Sequence, residues 1–314
     1  MDISKTVTAT YYVLKPLIPR RLQIELRRRV ISRKRRHCSH VWPILEQAGK
    51  SPKEWPGWPE HKQFALVLTH DVDTFRGHER CYNLMKLEVD LGFRSAFNFV
   101  PERYNVSSKL RADLVNNGFE VGVHGLNHDG KLFRSRKIFN ERSDKINHYL
   151  KAWNAVGFRS PAMHHNLEWI HDLNIEYDMS TFDVDPFEPQ SDGVSTIFPF
   201  QVTNSLNGAG YVELPYTLPQ DFTLFIMMQE PDIGIWKQKL DWIATHGGMA
   251  LLNTHPDYMR FDTGKMEEEE YAAGFYQEFL EHVSHRYEGL YWHVRPCDVA
   301  AYIAKQPLSY VTTD

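Results

Sequence analysis

The chain has 314 residues and a mass of 36.8 kDa, more than one ordinary domain of roughly 100–200 residues, although a barrel can run to about 250 as a single unit. Its content, 42% hydrophobic, 24% charged and 13% aromatic, is that of a packed globular protein; it excludes collagen-like, disulfide-scaffold and wholly disordered chains, and no apolar run approaches the ~20 residues of a membrane span. The net charge of −4 conceals an asymmetry: residues 1–36 carry eleven Lys or Arg against Asp2 and Glu25, a local +9, while the remainder carries 25 basic against 38 acidic residues, or −13.

In chain order, residues 1–59 are read as a basic amphipathic arm followed by a linker. Leu22, Ile24, Leu26, Val30 and Ile31 recur at roughly helical spacing between arginines. The preceding TYYVLKPLIP is interrupted by Lys15 and Pro16 and lacks the continuous apolar stretch and cleavage site of a secretion signal, so a cytoplasmic location is expected. SPKEWPGWPE, with three prolines and a glycine in ten residues, stops any helix and places the main domain at 60–314. Cys38, Cys81 and Cys297 are odd in number and without any CxxC, which predicts reduced thiols.

From residue 60 the pattern alternates. Short apolar runs at 64–70, 95–100, 120–124 and 249–255 are separated by charged stretches of helical spacing, and weaker runs stand at 157–162, 177–181, 210–216 and 290–296. Such alternation predicts parallel strands with crossover helices, and seven or eight strands ending in polar residues predict a distorted (β/α) barrel in the α/β class. Residues 266–289 predict a helix with Tyr271, Phe275, Phe279 and Val283 inward and the acid run 267–270 as a solvated first turn. Trp153, Trp169, Trp236, Trp242 and Trp292 could stack on sugar rings, but core packing is the more economical reading of each.

Several of these strand ends carry groups suited to chemistry. In LTHDVDT (68–74), Asp71 and Asp73 share one side of extended chain, and close carboxylates are tolerated where a cation neutralises one of them. In VGVHGLNHDG (121–130), His124 and His128 form HxxxH, which on a helical turn would bring both imidazoles to one metal. Gly125 stands where a zincin protease requires Glu, so that enzyme class is disfavoured. Arg159 precedes Pro161, Ala162, His164 and His165; Asp183 and Asp185 follow another run; His255 ends ALLNTH. There is no GxSxG elbow and no phosphate loop of the GxxxxGK[ST] form.

The order of an Asp-rich strand end, HxxxH, Arg-x-Pro, an Asp cluster and Leu-x-x-His resembles the NodB-homology polysaccharide deacetylases, carbohydrate esterase family 4, over residues of about 64–296. The chain reads as a divergent member, because Val72 separates the two aspartates that are adjacent in the common form and no aromatic–glycine pair follows Pro161. The resemblance implies a (β/α) barrel and metal-dependent removal of an acyl group from a sugar. It implies Asp73, His124 and His128 as metal ligands and Asp71 as general base, with the two aspartate roles exchangeable. Arg159 would orient the base, His255 would be the general acid, and Asp183 or Asp185 would support His255. The Ala162 N–H would stabilise the oxyanion, and His164 or His165 could add a ligand or substrate contact. The metal would be zinc first, with cobalt, nickel or iron(II) also suited to such ligands.

The expected function is deacetylation or deformylation of an amino sugar in a bacterial surface-polysaccharide precursor, whether O-antigen, capsule or exopolysaccharide. Residues 1–36 would hold the enzyme on the anionic inner face of the membrane beside a lipid-linked saccharide. A second reading is a catalytically silent protein of the same fold that binds glycan or assists polysaccharide assembly. Nucleic-acid binding through the arm is disfavoured, since a body of −13 repels a polyanion.

Overall fold

A strand with helices on one side and a barrel interior on the other has both faces covered, so it reads as an unbroken apolar run rather than an alternating one. The nine residues of β1 are all buried for this reason. The computed structural model describes residues 20–204, 208–306 and 310–313. Its strands are β1 (Phe64–Val72), β2 (Ala96–Phe99), β3 (Glu120–His124), β4 (Gly157–Arg159), β5 (Tyr177–Asp178), β6 (Phe200–Asn204), β7 (Gly210–Glu213), β8 (Met249–Thr254), β9 (Met259–Arg260), β10 (Tyr271–Ala272), β11 (Tyr291–His293) and β12 (Tyr310–Thr313).

Strands β1, β2, β3, β4, β5 and β7 pair in that order, all parallel, and β8 lies parallel along the other edge of β1. Past β7 the chain turns toward β8, where Leu218 bridges Leu252 and the Thr217 and Leu218 N–H groups both donate to the Leu251 carbonyl at 3.1 Å. The sheet thereby curls round on itself as the distorted (β/α) barrel expected from the sequence. β11 pairs with the first residues of β1, below the stretch that pairs with β2. The antiparallel β6 and its parallel neighbour β12 extend the sheet beyond β7. All eight predicted runs form strands; β6, β9, β10 and β12 were not predicted.

Helices cover the outside, among them Phe75–Asp90, Ser108–Asn116, Arg136–Trp153, Gly234–His246, Gly274–Arg286 and Pro296–Ile303. Ser107 and Ser135 begin two of them by accepting from the Leu110 and Ile138 N–H groups at 3.2 and 3.3 Å, satisfying amides that have no partner within the helix. The helix predicted over 266–289 starts only at Gly274, with Tyr276, Phe279, Leu280 and Val283 buried and Tyr271 in β10. Of its acid run Glu267 and Glu268 are exposed as expected, but outside the helix, and Glu270 is buried: it accepts from Arg260 at 2.9 Å and pairs with Arg76 and Arg80, so guanidinium groups replace water around it.

Residues 1–19 of the basic arm lie outside the described residues. The helix Arg20–Cys38 and the segment up to residue 59 pack on the barrel, with Ile24, Ile31, Trp42, Ala48 and Trp58 buried. Lys239 ties this segment down: its ammonium donates to the Pro43 carbonyl and to Asp183 Oδ2, the latter at 2.6 Å, with both charged side chains almost wholly buried. Removing one partner of a buried pair leaves an uncompensated charge. Lys239→Met is therefore expected to destabilise the protein by about 3–5 kcal/mol, read as a lower urea midpoint, and Asp183→Asn in the same chain should recover part of the loss.

Candidate active site

The parallel register decides which polar residues meet. Thr69 lies beside Asn253 of β8, and Asp71 beside Asn98 of β2. Their side chains converge on Arg159, the last residue of β4, whose guanidinium is fully buried. Its Nη1 donates to Asn253 Oδ1 at 2.6 Å, Thr69 Oγ1 at 2.9 Å and Asp71 Oδ1 at 3.2 Å, and its Nε donates to the Met179 carbonyl at 2.9 Å. Asp71 also accepts from Asn253 and Asn98 amides at 2.8 and 3.0 Å. Burial alone would raise the Asp71 pKa, but the charges of His124, Arg159 and His255 overcome it and hold the carboxyl at about 2.

Asp73 follows the end of β1. Its Oδ1 lies 3.0 Å from His128 Nε2 and 3.4 Å from His124 Nε2, yet this buried oxygen has no partner in hydrogen-bond geometry. Asp73, His124 and His128 are the one group of three such side chains, among the described residues, whose ligand atoms all lie within 4.8 Å of one another. A buried carboxylate oxygen facing two imidazole nitrogens within 3.4 Å suits a divalent cation. His124, which ends β3, has Nδ1 3.0 Å from the Arg159 carbonyl; that oxygen can only accept, so Nδ1 carries the proton and Nε2 is left as the ligand atom.

His128 reaches the triad by a different route from the helical turn expected. Gly125 has φ +60 and a Cβ there would come within 2.5 Å of Pro161 Cδ, so the chain turns sharply against Pro161 in a conformation open to glycine. His128 itself has φ +55. A loop, not a helix face, thus sets the HxxxH spacing, and it also excludes a glutamate at 125.

Two carboxylates absent from the sequence-based site hold its far side. Asp221 Oδ1 lies 2.7 Å from His255 Nδ1, and its Oδ2 accepts from the His255 N–H at 2.8 Å and the Tyr271 hydroxyl at 2.9 Å. Burial would lower the His255 pKa, but the charge of Asp221, reinforced by Asp73 and Asp71, raises it to about 10. Asp257 accepts from the Asp73 N–H and the Thr74 N–H, both at 2.9 Å, and so pins the loop that presents Asp73. Gly77 makes this approach feasible, since a Cβ there would lie 2.2 Å from Asp257 Oδ2.

The support for His255 expected from Asp183 or Asp185 does not come from either. Asp183 is engaged by Lys239, and Asp185 accepts from the Tyr216 hydroxyl at 2.9 Å and the Phe187 N–H at 2.8 Å. Both follow β5 and face partners outside the His255 contact, whereas Asp221 follows β7 and comes beside the end of β8. Ala162 stands exposed with φ +54 just after Pro161. His164 borders the same small cavity as His128, Ser160 and Pro161. His165 turns away, its N–H donating to Gln190 and its Nδ1 2.9 Å from the Met163 carbonyl, and neither histidine joins the ligand group.

Asn98 was legible as a polar residue between the phenylalanines of SAFNFV, Asn253 as the first polar residue of ALLNTH, and Asp257 as a carboxylate two residues after His255. Asp221 carries no local signal.

No family model matches the sequence, and no curated protein matches it. Solved structures do. A protein assigned as a polysaccharide deacetylase from Mycobacterium smegmatis aligns with TM-score 0.65 at 16% identity, covering 84% of this chain and 97% of its own. An allantoinase aligns with TM-score 0.62 at 15% identity, covering 85% and 99%. A second protein assigned as a polysaccharide deacetylase, from Pseudomonas aeruginosa, aligns with TM-score 0.59 at 14% identity, covering 82% and 97%. At these identities the likeness is one of fold.

Partners that orient a ligand typically matter by 10–100-fold in metal affinity. Asp257→Asn, which replaces one accepting oxygen by a donor facing the Asp73 or Thr74 amide, is expected to leave the far-UV circular dichroism unchanged and to lower zinc affinity by about that factor, measured by competition with a chromogenic chelator.

Proposed function

We propose that this chain, which has the NodB-homology deacetylase fold, is a metal-dependent hydrolase that removes an acetyl or formyl group from an amino sugar of a bacterial surface-polysaccharide precursor. The observation that carries this reading is one barrel mouth where an Asp–His–His triad stands between a carboxylate held ionised, Asp71, and an imidazole held protonated, His255. A divalent cation at Asp73, His124 and His128, zinc in the first instance and cobalt, nickel or iron(II) otherwise, would supply Lewis acidity toward the acyl oxygen and acidify water.

Asp71, fixed by Arg159, Asn98 and Asn253, accepts the proton that the attacking water gives up. The water oxygen bonds to the acyl carbon and the carbon–nitrogen bond breaks. His255, oriented by Asp221, delivers a proton to the departing sugar amine. The Ala162 N–H donates to the developing oxyanion, and His164, on the same turn, contacts the sugar. Asp183 and Asp185 shape the wall through Lys239 and Tyr216.

Among the described residues no helix is long and apolar enough to cross a membrane. The basic N-terminal helix supports a peripheral position on an anionic inner membrane face, where a lipid-linked saccharide is at hand.

The zinc-loaded protein is expected to release acetate or formate from N-acylated amino sugars. Asp73→Ala should lose both metal and turnover, while Asp71→Asn keeps the metal and loses roughly 10²–10⁴ in kcat. Metal-loaded protein that releases neither acid would leave the glycan-binding reading in place.

Asp221 raises the His255 pKa, so Asp221→Asn lowers it. The alkaline limb of the kcat/KM profile then moves to lower pH, while the acidic limb set by Asp71 stays. The same pair stabilises the fold fully below pH 6.5, and that contribution fades as pH rises through about 10; wild type and variant should differ least in urea midpoint at the alkaline end.

A further inference from the structure

The apolar residues of the N-terminal helix divide into two sets. Ile24 and Ile31 are buried on the barrel, beside the π-helical turn Phe222–Met228. Leu22, Leu26 and Val30, spaced i, i+4 and i+8, form one ridge that remains 50%, 38% and 62% exposed. Arg29, Arg33 and Arg36 stand exposed on the same open side. Arg28 and Arg35 reach the other way: Arg28 Nε donates to the Ile226 carbonyl at 2.9 Å and Arg35 pairs with Glu230.

Between this helix and the π-helical turn runs a groove of about 410 Å³, lined by arginines with Met227 and Met228 among its walls. Arg29 pairs with Glu25 at 3.0 Å. Arg33 and Arg36, which also line the groove, have no acidic partner among the described residues, although the chain beyond residue 36 carries a surplus of 13 acids. Guanidinium groups left over on an acidic protein, gathered in a concave site, match the planar oxygen arrays of a phosphate.

We propose that this groove binds the phosphate of an anionic membrane lipid, with the Leu22–Leu26–Val30 ridge seated at the headgroup–acyl boundary. The ridge decides between sources, because a soluble phosphate or a nucleic acid makes no use of three exposed aliphatic side chains beside the arginines. The helix, through a residue outside the groove, also touches the active-site wall: the Arg27 guanidinium lies 5.0 Å over the Phe222 ring, Phe222 packs on Tyr258 at 4.9 Å, and Tyr258 packs on His255 at 5.4 Å. The inference deepens the deacylase reading, on which it rests for the saccharide alone; lipid binding stands or falls by itself.

The test is sedimentation of the full chain with phosphatidylcholine vesicles, with and without phosphatidylglycerol. Binding is expected only with phosphatidylglycerol. The triple change Arg29→Gln, Arg33→Gln and Arg36→Gln should weaken it on the order of 100-fold, and the triple change Leu22→Ser, Leu26→Ser and Val30→Ser should weaken it at least tenfold. All six side chains are exposed, and matching thermal unfolding curves verify that the variants fold. No binding by wild type, a glutamine variant that binds like wild type, or a serine variant that binds like wild type would each overturn the proposal, as would tighter binding to a single-stranded oligonucleotide than to vesicles at the same salt. Turnover of a soluble N-acylated amino sugar by wild type, measured without vesicles, separates the two readings: vesicle binding with no turnover sinks the deacylase and spares the groove.

Discussion

Burying a guanidinium inside a barrel is costly unless every donor it presents finds an acceptor. Arg159 donates from Nε to the Met179 carbonyl, from Nη1 to Thr69, Asn253 and Asp71, and from Nη2 to the Met179 sulfur at 3.5 Å, and in doing so dictates what the interior of the barrel must contain. Thr69 and Asn253 are needed as acceptors at matched register, and Asp71 is needed as the counter-charge, its carboxyl, despite burial, held low by His124 and then by Arg159. The backbone of the same residue does more. Its carbonyl takes the Gly125 N–H at 3.0 Å and fixes His124 through Nδ1, so the residue that orders Asp71 also orders His124 and the start of the loop that returns His128. Asp71 and His124 are thus fixed relative to one another through one side chain and one carbonyl.

The opposite half of the mouth is organised by carboxylates rather than by a cation. Asp221 holds His255 and Asp257 holds the backbone at Asp73, placing four aspartates, with Asp71 and Asp73, around His124, His128 and His255. Asp257 shows the crowding: burial, and then the charge of Asp73, push its carboxyl up to about 6. A site with this surplus of negative charge suits a cation, and, against burial, Asp221, with Asp73 and Asp71, raises the His255 pKa. Four of the acids of the body beyond residue 36 gather at this mouth, while Glu270 shows an acid elsewhere consumed by guanidinium groups of the protein itself.

What the sequence revealed follows from which forces are local. Strands covered on both faces must be apolar, so FALVLTH, SAFNFV, EVGVH and MALLNTH declared themselves, and groups at the ends of parallel strands gather at one mouth whatever the details of the sheet. The support of His255 was misassigned because hydrogen-bond partners across a barrel are set by closure. Asp221 lies 34 positions from His255, in a segment whose local pattern, PYTLPQDF, gives no sign of it, and it reaches the site only because Leu218 meets Leu252. The HxxxH pair suggested a helix because spacing alone does not distinguish a helical turn from a left-handed loop; that depends on Gly125 meeting Pro161, 36 positions away. Glu270 looked like a solvated residue for the same reason, since Arg76, Arg80 and Arg260 are invisible to its own helix pattern.

The N-terminal helix carries that lesson further, because an amphipathic pattern states that apolar residues recur and leaves open what they pack against. Here one set, Ile24 and Ile31, completes the protein's own core, and the other, Leu22, Leu26 and Val30, faces out. A helix docked by its own isoleucines cannot swing freely as an arm, so any surface it engages is held at a fixed attitude to the barrel. Arg27, Phe222, Tyr258 and His255 form the line of contact through which that attitude is set. Peripheral attachment by a flexible basic tail would merely raise the local concentration of enzyme near a membrane. Attachment through a docked helix would orient the mouth as well, and orientation counts when the reacting group of a lipid-linked sugar sits a short distance from the bilayer.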